Sequence, residues 1–339
     1  MGIKGFSKLF TPSKIINIKE LSGKTIIIDA MIEIYRAERS PLFLTGKDGS
    51  DTSGIKIFID SILKRKKMGI KEIWCFDYIE KGYKNPIKIN ELKKRKKKIN
   101  QLYNDCAILE NKINNSEIEK LTIHQKKLLQ NKLKKKKKFC KRITNEKIQE
   151  YKFILKSLNI DYIESPKGFE AECICAYMNI LGYVDFVFSN DYDAILFGSK
   201  KVLRRIRGKS DKNNLSVYIL NDILSQYENI YNIDLLIKTG IILGTDFYHD
   251  KDRVFNRIGP KTIIKKINSK KIKNIFKNNN DIIKVVNYFK KYPNINELKW
   301  YSDEINDKNN PKILLDWLIY KKGFNKFYYS NKILNLFKK

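Results

Sequence analysis

Three short runs of β-branched and aromatic residues, Lys24-Thr25-Ile26-Ile27-Ile28, Glu72-Ile73-Trp74-Cys75-Phe76 and Asp185-Phe186-Val187-Phe188, each lead into an aspartate. Apolar runs of this length without polar alternation mark strands buried on both faces of a parallel sheet. Asp29 and Asp77 follow the first two runs directly, and Asp191 comes three residues after the third. Between the first two runs Ile55, Ile57, Phe58, Ile62 and Leu63 keep a helical period. The expected fold is therefore α/β, a central mostly parallel sheet flanked by helices. Ligands of such sheets bind beyond the carboxyl ends of the strands, so the three aspartates should meet in one crevice.

Further carboxylates sit in short apolar motifs. Glu170-Ala171-Glu172 follows Ser165-Pro166-Lys167-Gly168 and opens the apolar segment Cys173 to Met178, which puts two carboxylates in the first turn of a helix. Asp191-Tyr192-Asp193 lies between the third strand and Ala194-Ile195-Leu196-Phe197-Gly198. Asp246 ends Ile241-Ile242-Leu243-Gly244-Thr245-Asp246, where a plain helix terminus would favour a cation. Taken singly, these are also what an ordinary helix start or a polar turn would look like. Together, at strand and helix ends, hard oxygen ligands without histidine or thiolate suit Mg²⁺ or Mn²⁺. Several carboxylates can hold two such ions about 4 Å apart for in-line phosphodiester cleavage.

The carboxylates stand out because the chain is basic, with 69 Lys and Arg against 37 Asp and Glu and a formal charge of +32. A potential of that sign makes nucleic acid the default partner, although an AT-rich genome would inflate lysine, asparagine and isoleucine by itself. With 42% hydrophobic residues the chain can bury a substantial core. The five cysteines are odd in number and mostly lie in apolar patterns, which fits reduced thiols in an intracellular compartment. His124 and His249 are the only histidines, so no Cys/His zinc spacing exists. No segment has the length and apolarity of a membrane helix and the N-terminus lacks a signal-peptide core. Gly2 is not read as a myristoylation site, because Phe6 replaces the expected Ser or Thr.

From about residue 84 to 148 the pattern becomes a basic helical insertion bracketed by Lys93 to Lys98 and Lys134 to Lys138. A solvated or partly disordered lysine tract, or a nuclear localisation signal, would look similar. From about residue 221 the chain is mostly helical with Asn-rich loops. A single unit over 1–339 is expected, with an N-terminal region over 1–83, the insertion over 84–148, an internal region over 149–250 and C-terminal helices over 251–339.

The order and wording of these motifs resemble the flap endonuclease family of XPG/Rad2-type 5′ nucleases. The resemblance runs through Gly2-Ile3-Lys4-Gly5-Phe6, Ile28-Asp29-Ala30, Phe76-Asp77, Glu170-Ala171-Glu172, Asp191-Tyr192-Asp193, Leu243-Gly244-Thr245-Asp246-Phe247 and Ile258-Gly259-Pro260-Lys261. It implies that Asp29, Asp77, Glu170 and Glu172 hold one metal and that Asp191, Asp193 and Asp246 hold the second, with Glu172 shared. Lys88 and Arg95 would be the basic pair at the base of a helical arch, acting on the scissile phosphate from the side away from the metals. Tyr35 would stack on a base near the cleavage site, and Gly2 would pack close to the active site. Gly259 and Lys261 would belong to a helix-two-turn-helix element that holds the uncut duplex. Arg257 stands where a first glycine is usual, which puts a K⁺ ion in doubt and suggests direct phosphate contacts from Arg257 and Arg253.

The implied activity is structure-specific cleavage of 5′ flaps with 5′ to 3′ exonuclease action on branched or 5′-tailed DNA. In-line hydrolysis would leave a 5′-phosphate and a 3′-hydroxyl, in replication, repair or recombination. A mainly processive exonuclease, a catalytically silent DNA-binding protein of the same fold and a basic packaging protein are the alternatives. The segment Trp317 to Asn325 resembles the last element of the family's core, and no sliding-clamp motif follows it. A minimal, monomeric core is expected, from a large DNA virus or another AT-rich genome, working in the nucleus or at a cytoplasmic replication site.

Overall fold

A computed structural model describes the chain except residues 1–2, 4, 81–84, 115–121, 207–212, 249–254, 256–258, 303–309 and 337–339. Eight strands form one sheet: β1 Lys14–Asn17, β2 Thr25–Asp29, β3 Lys71–Phe76, β4 Asp161–Glu164, β5 Phe186–Phe188, β6 Lys201–Arg205, β7 Asn214–Ile219 and β8 Lys299–Tyr301. Their order is β1-β7-β6-β5-β2-β3-β4-β8. The pairs β6-β5, β5-β2, β2-β3 and β3-β4 are parallel, while β1-β7, β7-β6 and β4-β8 are antiparallel. The three runs that mark the sequence are β2, β3 and β5, side by side at the centre. Strand order reverses at β2, where β3 and β4 lie to one side and β5 and β6 to the other.

The central strands are apolar on both faces because both faces are covered. Ile27, Ile73, Cys75 and Val187 face one core with the helix Ala171–Ile180. Ile26, Ile28, Trp74 and Phe188 face the other core with the helix Ser53–Lys67, as a side-chain period of two requires. That helix buries Ile55, Phe58, Ile59 and Ile62, a stripe at helical spacing. Each such side chain contributes roughly 1.5–3 kcal/mol by leaving water. The helix closes in a basic last turn, which suits its negative end, and Gly69 then takes a left-handed φ of 74°.

The basic insertion is a pair of packed helices, Ile89–Asn114 and Ile123–Cys140. Tyr103 donates its hydroxyl to the Cys140 carbonyl at 3.2 Å, Lys136 pairs with Asp105 at 2.5 Å, and Lys137 pairs with Glu110. The run Lys134 to Lys138 is therefore not uniformly solvated. Lys138 is buried, donates to the Leu42 carbonyl and sits 3.6 Å from Asp51. Its aliphatic stem and paired head tie the second helix to the loop before Ser53.

Candidate metal centre

Each of the carboxylates reaches the same edge of the sheet by a local rule. Asp29 is both the last residue of β2 and the N-cap of the helix Ala30–Glu38, accepting from the Ile32 amide at 3.1 Å. Asp77 follows β3 and accepts from the Ala171 amide at 2.8 Å, which ties it to the N-terminus of the helix that Glu170 caps and in which Glu172 stands in the first turn. Asp191 and Asp193 flank Tyr192 at the start of the short helix Asp193–Leu196, beyond β5. Asp246 lies just past the helix Ile233–Leu243, after Gly244 has turned the chain with a φ of 100°.

Ligand oxygens of Glu172, Asp191 and Asp193 lie within 4.8 Å of one another. These residues are only 1–6% exposed, and Asp193 Oδ1 is buried with no hydrogen-bond partner. Burial first, and then the charges of Asp191, Asp193 and Asp29, push the Glu172 carboxyl well above the ordinary range. Burial and the Asp77 charge do the same to Asp29, and burial and the Asp191 charge to Asp193. Burial and the Asp246 charge raise Asp191. Mutual repulsion thus links Asp29, Asp77 and Glu170 to Glu172, and Glu172 through Asp191 to Asp246. An anionic cluster with an orphaned oxygen is what a hard divalent cation relieves, and this donor set fits one.

Lys88 and Arg95 arrive on the first insertion helix and the turn before it. Lys88 donates to Glu170 and lies 4.5 Å from the Phe247 ring centre. Arg95 Nη2 donates to Asp246 Oδ2 at 2.8 Å and is also held by Glu91 at 3.1 Å. Both cations therefore rest on the carboxylates themselves rather than standing apart from them, because buried anions draw the nearest cation. Tyr35 is half-buried with the Arg39 guanidinium 4.6 Å over its ring. Gly259 caps the helix Pro260–Lys266, which is followed by Lys270–Asn278, and Lys261 is exposed. Gly2, Arg253 and Arg257 lie outside the described residues.

Several residues of the site carry only a faint signal in the sequence. Ser189 donates to Glu172 at 2.9 Å and accepts from the Asp191 amide at 3.0 Å, joining two of the acidic motifs. Asn85 caps the turn before the first insertion helix and donates to the Tyr288 hydroxyl at 3.1 Å and to Glu170 at 3.4 Å. The Tyr192 ring lies between Phe6, stacked at 4.5 Å, and the Arg204 guanidinium at 3.3 Å, which holds the turn that carries Asp191 and Asp193. Polar residues next to Asp191 and an Asn-Pro helix start were the available hints.

A mixed sheet, parallel at its centre, with acidic residues gathered at its strand-order reversal fits a metal-dependent α/β enzyme. The XPG N-terminal domain model matches residues 1–102 and the XPG I-region model matches residues 159–246. Flap endonuclease 1 of Methanococcus aeolicus is 30% identical over 329 residues, covering 89% of this chain and 90% of that protein. The Entamoeba histolytica flap endonuclease 1 is 30% identical over 99% of this chain and 84% of its own length. Among solved structures, a flap endonuclease-1 from Methanococcus jannaschii superposes with a TM-score of 0.69 at 22% identity, over 99% of this chain and 98% of the other. The catalytic core of Rad2 in complex with DNA substrate gives 0.62 at 18% identity, over 99% and 100%. The chain belongs to the XPG/Rad2-type flap endonuclease family and is a structure-specific 5′ nuclease.

Proposed function

We propose that Asp29, Asp77, Glu170 and Glu172 hold one divalent ion and Asp191, Asp193 and Asp246 a second, Mg²⁺ or a substituting Mn²⁺, for cleavage of branched or 5′-tailed DNA. The observation that carries this reading is the oxygen of Asp193, buried without a partner among the carboxylates of Glu172 and Asp191. Divalent ions held by these carboxylates would supply an activated water and offset charge at the phosphate. Lys88 and Arg95 exchange their carboxylate partners for phosphate oxygens as substrate enters and stabilise the charge that develops. Asn85, Ser189 and the Phe6-Tyr192-Arg204 stack hold the carboxylates in place. The two-helix insertion serves as the arch beneath which the 5′ strand passes, a reading supported by the contacts of Lys88 and Arg95 at its base with Glu170 and Asp246. Tyr35 stacks on a base there, and Gly259 and Lys261 hold the uncut duplex by its phosphates.

The test is a double-flap DNA labelled at its 5′ end, incubated with and without Mg²⁺ beside an Asp191→Ala variant. A Mg²⁺-dependent product released at the junction by the wild type alone is expected. Stepwise mononucleotides would indicate a processive exonuclease instead, and tight binding without cleavage would indicate a silent binder.

A further inference from the structure

The hairpin of helices stands on the body at two feet. One is the start of Ile89–Asn114, where Lys88 and Arg95 meet Glu170 and Asp246. The other is the end of Ile123–Cys140, where buried Lys138 reaches the Leu42 carbonyl and Phe139 lies 5.5 Å from the Arg39 guanidinium. Above the first foot, Tyr103 and then Cys106 meet the end of the second helix, the Tyr103 hydroxyl at the Cys140 carbonyl and the Cys106 Sγ 3.9 Å from that of Cys140. At 1.5 Å per residue, Arg95, the last residue of that foot, to Cys106 rises roughly 17 Å. Every ion pair and hydrogen bond described between the two helices clusters near this point, through Tyr103, Asp105 and Glu110. The two sulfurs therefore sit where the space beneath the hairpin ends and the paired helices begin.

We propose that Cys106 and Cys140 are a dithiol modification site, oxidised by a peroxide to an intramolecular disulfide that sets the largest 5′ end able to pass beneath the hairpin. The size limit rests on the reading that the 5′ strand takes this route. One thiol attacks the peroxide, whose O–O bond breaks; a sulfenic acid forms and one water leaves. The second thiol displaces the hydroxyl as a second water, so two thiols lose two protons and two electrons and one S–S bond forms. The two Sγ atoms are 3.9 Å apart, so the bond needs them to approach by about 2 Å. Cys75, Cys173 and Cys175 are fully buried at 0% in the core between the sheet and the helix Ala171–Ile180. Cys106 and Cys140 are 5% and 3% exposed and face each other between the two helices, so parting of the helices exposes both. Without the bond, a bulky end can be admitted by separating the helices above the contact. With it, the opening is bounded by one helix, the S–S bridge and the body.

The full-length protein is treated with hydrogen peroxide and then mapped without reduction by peptide mass spectrometry. It is assayed in parallel on two 5′ flaps, one a plain single strand and one ending in a DNA hairpin. A linked Cys106–Cys140 peptide that dithiothreitol releases is expected, absent from Cys106→Ser and from Cys140→Ser. Oxidation should slow the hairpin-ended flap roughly tenfold or more while the plain flap changes by less than about twofold, with recovery on reduction, since the bridge restricts opening rather than chemistry. Free, alkylatable Cys106 and Cys140 after peroxide would overturn the modification site, whether or not the serine variants fold. A linked peptide with equal effects on both flaps would overturn the size limit. If the reduced protein cuts neither flap, the threading route fails with the flap reading, and the disulfide is decided by the peptide map alone.

Discussion

At the carboxyl edge of the sheet, Asp29, Glu172, Asp191 and Asp193 are crowded together, 1–6% exposed and braced by amides, Ser189 and a stacked tyrosine. In the hairpin above, Lys93, Lys94, Lys96, Lys97, Lys98, Lys134 and Lys135 stand in water. Both regions concentrate charge of one sign, yet only the first does so where water cannot screen it. Repulsion among buried carboxylates is strong and raises their pKa values, whereas exposed lysines a few residues apart repel weakly and are screened by salt. The edge should therefore respond to single substitutions in an all-or-none way, and the hairpin in small increments that add.

The largest effect is expected at Asp193. Asp193→Asn should lower the cleavage rate by about 10³-fold or more, since a ligand of the reacting phosphate's cation is lost. The same change should raise the melting temperature without metal, because it relieves repulsion, and should abolish the stabilisation that Mg²⁺ gives the wild type, about 2.7 kcal/mol at a hundred times the dissociation constant. A variant that melts lower and still responds to Mg²⁺ would break the contrast. Glu33, one turn beyond Asp29, is the opposite kind of buried acid. Burial would raise its carboxyl, but the charge and hydrogen bonds of Arg205 and the charge of Arg36 overcome this and hold it at about 2 against an ordinary 4.5. A depressed value stabilises the fold fully above about pH 4.5 and loses that contribution as pH falls towards 2, a difference of about 3 kcal/mol. Urea denaturation of Glu33→Gln should accordingly show a shallower loss of stability between pH 5 and pH 3 than the wild type. An unchanged slope would remove Glu33 from the acid response.

Between the two regions, Arg95→Ala should lower turnover by about 10²-fold with a smaller change in flap affinity, as for loss of one cation at a developing charge. Single-turnover rates with bound substrate separate the two. Smallest is the hairpin itself. Replacing Lys134 and Lys135 by Ser should weaken flap binding only a few-fold and lower the slope of log affinity against log salt by about 1.4. Lys136, Lys137 and Lys138 are left out because they are paired or buried. A hundredfold loss from the two exposed lysines would place the hairpin with the edge.

The same contrast explains how much could be read from the residues alone. The strands β2, β3 and β5 are visible as unbroken apolar runs because both of their faces are covered. Strand β8, three exposed residues, and β4, Asp-Tyr-Ile-Glu, leave no such mark because they lie at the sheet's margin. The acidic residues were conspicuous because each sits against an apolar element in a basic chain. Ser189, Asn85 and Arg204 were not, because what places them is contact between positions far apart in the chain, as from Asn85 to Tyr288. Lysine runs announce charge but not pairing, so a solvated tract stayed open as an alternative for the run containing Lys138, whose ammonium group is buried on Leu42.

The most direct test of the central claim is anomalous diffraction from crystals of this protein grown with Mn²⁺. The account predicts two peaks about 3.5–4 Å apart at the carboxyl edge of the sheet, one beside Asp29, Asp77 and Glu170 and one beside Asp191, Asp193 and Asp246. No peak at that edge, or peaks only elsewhere on the surface, would contradict it.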